Sequence, residues 1–273
     1  MTATGSLIGQ YKSKIMQRLL IFIGILFLVQ TASAQSLAKR SEPVFVTGEE
    51  LQYRVRYGFI TAGQASLKVE GSDVKFNNNP VYHLIAHGRT AGSFDVFKKV
   101  RNRYDSYIDK DDLTPHLYTE NIHEGNYKRN DKARFYQDQR KVVSRKGSYK
   151  GTDQTFDIVS AYYFARNLDL SDVKPGQVFT MYYYLQDKIT DLTIKYIGKE
   201  TIKTHNGYIR CLKFNPSIQP GRIFRKDSKL YLWVSDDINR VPVKANVELL
   251  IGSATLELVD AKGLRSPLNY VSR

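Results

Sequence analysis

From Leu51 onward the side chains alternate between apolar and polar. Leu51, Tyr53, Val55 and Tyr57 are interleaved with Gln52, Arg54 and Arg56, the two-residue period of a strand with one covered face. After a turn-rich stretch at 58–63, Ala65, Leu67 and Val69 alternate with Ser66, Lys68 and Glu70, which predicts a hairpin or a sharply bent strand. Further strands are predicted at 81–87, 96–108, 118–127, 133–138 and 141–144. Their breaks fall at Asn77-Asn78-Asn79-Pro80, a bend at Gly92-Ser93, a polar turn at Asn130-Asp131 and an end at Gly147. The second half repeats the rhythm, with strands at 178–185, 191–197, 208–214, 229–234, 242–251 and 254–258 and turns at Asn206-Gly207 and Gly252-Ser253. One segment departs from it. Between Asp153 and Leu170, Phe156, Val159, Tyr163 and Ala165-Arg166 recur at mixed three- and four-residue spacing. This predicts a helix over 155–167, capped by Asp153 or Thr155 and followed by a reset at Pro175-Gly176.

Many short strands with tight turns and a single helix predict a mainly β fold. Its expected form is a strongly curved antiparallel sheet, or a partly closed β-barrel, with the helix packed against it; a two-sheet sandwich is the alternative. No Pro-, Gly- or Ser-rich linker divides the chain and no internal repeat is present. A single β domain over 45–265 is therefore expected, between a flexible N-terminal tail at 35–44 and a C-terminal tail at 266–273.

The first residues read differently. Leu19 to Val29 is an unbroken apolar run preceded by Lys12, Lys14 and Arg18 and followed by Ala32-Ser33-Ala34. A basic start, a short apolar run and an Ala-x-Ala site describe a secretory signal peptide, so 1–34 is expected to be removed on export. Met16 is the expected true start. The run is shorter than a membrane-spanning helix needs, and the mature chain is expected to be soluble, in the periplasm or associated with the envelope.

Charge and cysteine count narrow the partners. The chain carries a net charge of +14, of which +11 remains beyond residue 34. Nucleic acid is not an expected partner of an exported protein; anionic lipid head groups and acidic glycans are. Between Lys98 and Lys150 there are 14 Lys or Arg against 8 Asp or Glu, enough to form a basic patch if adjacent strands carry them. Cys211 is the sole cysteine, so no intramolecular disulfide forms and stability rests on the core.

Several stretches together resemble a bacterial family, DUF3108. They are Gly48-Glu49-Glu50-Leu51-Gln52-Tyr53 with Ala62-Gly63-Gln64-Ala65, Asp95-Val96-Phe97, Asp157-Ile158-Val159-Ser160-Ala161-Tyr162-Tyr163, and Leu232-Trp233-Val234-Ser235-Asp236-Asp237 running to Arg240-Val241-Pro242-Val243. The resemblance spans about 45–265. It implies an exported or envelope protein without an assigned activity and carries over no catalytic residue.

Motifs for chemistry are sparse. Asp236 and Asp237 are adjacent, so an extended backbone points them to opposite faces. The expected role is structural: one accepts turn N–H groups while Arg240 pairs with the other. His83, His87, His116, His123 and His205 lack zinc-ligand spacing, and no metal or other cofactor is expected. No Gly-x-Ser-x-Gly elbow is present, and Cys211 on an alternating strand reads as a small buried hydrophobe. No catalytic residue is proposed from sequence.

What remains is a wealth of aromatic residues and bases. Tyrosine suits a wall that is apolar in body and polar at its tip. Tyr162, Tyr163 and Arg166 on the helix, with Lys98, Arg101, Arg103 and Arg222, are the candidate ligand-binding residues. The expected function is non-enzymatic binding of an amphipathic or anionic envelope ligand, lipid or glycan, by a monomer in peripheral contact with the envelope. The alternatives are a hydrolase of envelope polymers using carboxylates from distant strands, and an assembly scaffold.

Overall fold

A computed structural model describes residues 38–219 and 227–272. The expected signal peptide at 1–34 and the candidate Arg222 lie outside the described residues.

Two meanders make one sheet. The first runs through β1 (Glu50–Tyr57), β2 (Ile60–Phe76), β3 (Asn79–Thr90), the short helix α1 (Ser93–Phe97), β4 (Val100–Asp109), β5 (Pro115–Glu124), β6 (Tyr127–Tyr136), β7 (Lys141–Ser144) and β8 (Gly147–Lys150). The second follows β9 (Thr155–Phe156) and helix α2 (Ile158–Arg166). It comprises β10 (Val178–Leu185), β11 (Lys188–Thr204), β12 (Gly207–Pro216), β13 (Leu230–Ser235), β14 (Pro242–Glu248) and β15 (Ser253–Lys262). β15 pairs antiparallel with β1 and joins the two into the order β8-β7-β6-β5-β4-β3-β2-β1-β15-β14-β13-β12-β11-β10-β9, with β16 (Tyr270–Val271) added on β12. Among the described residues only β9 and β10 run parallel.

The sheet curls until its edges meet without a shared backbone ladder. Register shifts in β1–β2, β2–β3, β4–β5, β11–β12, β13–β14 and β1–β15 mark bulges, each of which adds bend and twist. Side chains then bridge the gap. The rings of Tyr149 in β8 and Tyr184 in β10 lie 5.5 Å apart, and Lys146 and Arg129 each reach Asp187 at 2.9 Å. The strongly curved antiparallel sheet with one helix against it, the first of the forms expected from the alternation, is the fold observed; it is not closed, and its likeness to a β-barrel is in shape.

Helix α2 fills one end of the concave face. Asp157 is its buried N-cap: Oδ1 accepts the N–H groups of Val159 and Ser160, and the Ser160 hydroxyl closes a capping box on the Asp157 N–H. The Oδ2 atom accepts the Ser106 hydroxyl of β4 at 2.6 Å, so the Ser106 side of the sheet faces the helix. Burial pushes the Asp157 carboxyl up from its ordinary range. The cap expected at Asp153 or Thr155 is thus displaced, because Thr155 and Phe156 pair with Tyr182 and Tyr183 as β9.

Other expectations are corrected in the same way. Asn130-Asp131 is not a turn; both residues lie mid-β6, opposite Asn121 and Glu120. The chain reverses at Gly125-Asn126, where Gly125 has φ of 62°. The strand expected from residue 96 begins at Val100, since α1 takes up 93–97. β2 and β11 are much longer than their alternating stretches suggest, since their far ends are exposed on both faces.

Candidate functional site

The register carries the concave face outward from α2 row by row. Val69, Leu84, Ser106, Tyr118 and Ala133 form one row of opposed residues, all buried. Two residues further along the strands the row is Leu51, Leu67, Ala86, Tyr104, Glu120 and Asp131; here Leu67, Ala86 and Tyr104 are only half-buried. The next row includes Tyr53, Ala65, Gly88 and Asn102, of which Ala65, Gly88 and Asn102 are half-buried. Across the β1–β15 junction, Val55, Leu256, Ala245 and Leu232 continue the same face, and each is half-buried. Apolar side chains on the inner face of a curled sheet are normally covered completely. Here cover is complete beside α2 and incomplete toward the opposite rim.

Gly88 gives this its sharpest expression. A Cβ built on it meets no atom within 4 Å, although the residue sits mid-sheet between β2 and β4. On the same face Ala65 and Asn102 stand directly opposite it and Ala86 two residues along β3, with Val55, Leu256 and Ala245 further round the sheet. Such a surface suits a hydrocarbon chain.

Next to α2 the packing is rigid and built on a buried ion pair. Arg166 near the end of α2 donates from Nη1 and Nη2 to both oxygens of the fully buried Glu49, at 2.6 and 2.9 Å. Its remaining donors reach the carbonyls of Asn239 and Arg240. The rings of Phe45, Tyr162 and Tyr163 surround the guanidinium at 5.2–5.8 Å. Burial works against its charge, but Tyr162 and Glu49 outweigh it and hold the pKa above the ordinary arginine value. Four of its five N–H donors are engaged in this way, so this arginine locks α2 to the starts of β1 and β14.

A narrow slot of about 50 Å³ lies beside α2, lined by Tyr162, Leu168, Phe179, Ile194, Phe214, Leu232, Val234 and Arg240 among others. Arg240 has φ of 50°, and its Nη1 is buried with no hydrogen-bond partner among the described residues. Burial lowers its pKa. A wider groove of about 480 Å³ lies under the C-terminal segment. There Leu264 and Leu268 pack onto the clusters of Leu51, Tyr53 and Val241 and of Ile209, Cys211 and Trp233, while Arg265 is held by Glu42.

The residues singled out from sequence are dispersed. Tyr163 is completely buried against Phe45 and Arg166 is consumed by Glu49, whereas Tyr162 lines the slot. Arg101 is bound to both oxygens of Asp95 and Arg103 to both of Asp105, while Lys98 follows α1 at the rim. The structure therefore brings Tyr162, Tyr163 and Arg166 together, while Arg101 and Arg103 stand on the face of β4 opposite to that of Ser106 and are tied to Asp95 and Asp105. At the turn after β13, Asp237 accepts the Ser235 hydroxyl and the N–H groups of Asn239 and Arg240. Asp236 pairs with Lys199 at 2.8 Å, not with Arg240 as expected, because the Arg240 side chain turns inward to the slot. Cys211 is fully buried, and burial pushes its thiol up to about 12. The lining residues Ala65, Ala86, Gly88 and Ala245 were missed. The available signal was smallness at alternate positions of otherwise well-formed strands.

Carboxylates on the concave face are fully engaged. Arg129 bonds Glu120, Asp131 and Asp187, Tyr118 donates to Glu120 at 2.9 Å, and Tyr184 donates to Asp131 at 2.8 Å.

Comparison with known proteins agrees with this architecture. A family model described as a protein of unknown function, DUF3108, matches residues 52–259. No curated protein matches the chain. Among solved structures, the chain is similar to a β-barrel-like protein of a domain of unknown function, DUF1849, from Brucella abortus, with a TM-score of 0.53 and 10% identity over 82% of this chain and 98% of that one. A Bacteroides fragilis protein with a YmcC-like fold aligns over 82% of this chain and 100% of its own at 11% identity, with a TM-score of 0.36.

Proposed function

The chain belongs to the DUF3108 family, whose function is unknown, and from that premise we propose that it is an exported, non-enzymatic envelope protein. It holds the apolar chain of an amphipathic lipid against the open half of its concave face. The observation that carries the reading is the open position over Gly88 on a concave face whose aliphatic residues, from Ala86 and Ala65 round to Leu256 and Ala245, are only half-covered. Burying that surface beneath a lipid chain would gain roughly 25 cal/mol per Å². The apolar run Leu19–Val29 with Ala32-Ser33-Ala34 supports export.

This face favours a lipid over a glycan, which would need more hydrogen-bonding groups than Val55, Ala65, Ala86, Ala245 and Leu256 offer; the amide of Asn102 opposite Gly88 is already taken by Glu124 and the His123 N–H. It also favours binding over hydrolysis. A hydrolase of the kind considered would use two carboxylates across a cleft, one of them holding a proton. Glu120 and Asp131 are instead both tied to Arg129.

Native mass spectrometry of the protein released by osmotic shock tests this. The wild type should carry additional mass in lipid-sized steps, and Gly88→Trp, which fills the space, should lose it while keeping its circular dichroism spectrum. A wild type that is lipid-free, and that takes up no added fluorescent fatty acid, would refute the reading.

A further inference from the structure

Three loops meet at the rim opposite α2, and their tips are greasy and bare. The β1–β2 turn presents Phe59 at 87% exposure, α1 presents Val96 and Phe97 at 85% each, and the β14–β15 turn presents Ile251 at 78%, with Leu250 beside it. The three are held as one unit. Tyr57 donates its hydroxyl to the Ile251 carbonyl at 3.0 Å. Its ring stands edge-on to Phe94 of α1 at 6.1 Å. The Gly58 N–H reaches the Ser253 carbonyl and the Ala91 N–H reaches the Ala62 carbonyl. Three separate large apolar tips at one end of a soluble fold mark an interaction site rather than scattered surface residues.

We propose that this rim docks onto an anionic lipid bilayer, with Phe59, Phe97 and Ile251 entering the head-group region. Charge points to that occupant. Lys98 and Lys99 directly follow Phe97. The nearby acids Asp95, Glu257 and Glu124 are each paired with a base of the rim, Arg101, Arg56 and Lys98, and Lys99 adds a further positive charge beside the tips. The rim thus pairs protruding apolar side chains with lysines beside them, the combination that holds a peripheral protein at a negatively charged interface. Discontinuous tips also suit a yielding lipid surface better than a flat protein partner. Docking rests on the rim alone, whatever occupies the concave face.

The test is sedimentation of the full mature chain with vesicles of phosphatidylglycerol or of phosphatidylcholine at 50 mM and 300 mM salt. The wild type should bind phosphatidylglycerol vesicles, release at high salt, and ignore phosphatidylcholine. The combined change Phe59→Ser, Phe97→Ser and Ile251→Ser should abolish binding with an unchanged melting temperature, since these side chains touch little. Lys98→Glu with Lys99→Glu should weaken binding by about tenfold or more at low salt, from about 1 kcal/mol per basic residue near such a surface. Gly88→Trp should sediment like the wild type, which separates docking from occupancy of the concave face. No sedimentation of the wild type at 50 mM salt would overturn the proposal, as would full binding by the triple variant. So would a dimer in light scattering that the triple variant converts to monomer, since a second copy would then cover the rim.

Discussion

Gly63 and Gly88 lie on the neighbouring strands β2 and β3, and their missing side chains mean opposite things. A Cβ on Gly63 would lie 2.3 Å from the Arg89 carbonyl oxygen, a clash with backbone; one on Gly88 would meet nothing. Gly63→Ala should therefore lower stability by about 1–3 kcal/mol, whereas Gly88→Ala should stay within about 0.5 kcal/mol of the wild type, both read by urea unfolding. Glu49 shows the cost of a half-made pair. Glu49→Gln strands the Arg166 charge in the interior, and a loss of about 3–5 kcal/mol follows, measured the same way. At this scale the sequence was legible where the partner is local. That one of Asp236 and Asp237 serves its own turn follows from spacing; that it is Asp237 does not. Glu49 meeting Arg166, 117 residues away, and Arg240 turning from Asp236 do not, because folding over the whole chain decides them.

Elements were legible where one face is covered and the other wet. β1 and β10 match their alternating stretches closely, since buried and exposed positions alternate along each. β14 and β15 are half-exposed on both faces for most of their length, so alternation there announced a strand without revealing that its inner face lacks cover. The reversal at Gln186-Asp187, both at positive φ, carries no Asn-Gly or Gly signal and went unseen. That turn nonetheless holds the seam. Arg129, with help from Lys146 and Tyr184, keeps the Asp187 carboxyl well below the usual carboxylate range. A carboxylate with a depressed folded pKa stabilises above its ordinary value near about 4 and loses that contribution as pH falls through it. The melting temperature of the wild type should therefore drop on acidification below about pH 4. Asp187→Asn should melt lower at pH 7 and show a shallower acid limb. Equal acid limbs in the two proteins would show that the seam does not depend on this charge.

The described residues from Lys39 on form a sheet curled almost into a barrel, plugged at one end by α2 and uncovered toward the other. The curvature was foreseeable, since so long a run of antiparallel strands cannot stay flat with bare edges. Which end the helix plugs was not, because it depends on Asp157 meeting Ser106 and Arg166 meeting Glu49 across distant strands. The uncovered interior is what sets the protein apart from a fully packed barrel. It can be probed in place, because Cys211 is buried with its thiol pushed up to about 12 and leaves the chain without a competing reactive cysteine. A polarity-sensitive dye attached to Gly88→Cys should label readily and, on titration with oleate, shift its emission to the blue and saturate. A thiol at that position that resists labelling, or a dye whose emission oleate leaves unmoved, would contradict an open, lipid-accepting concave face.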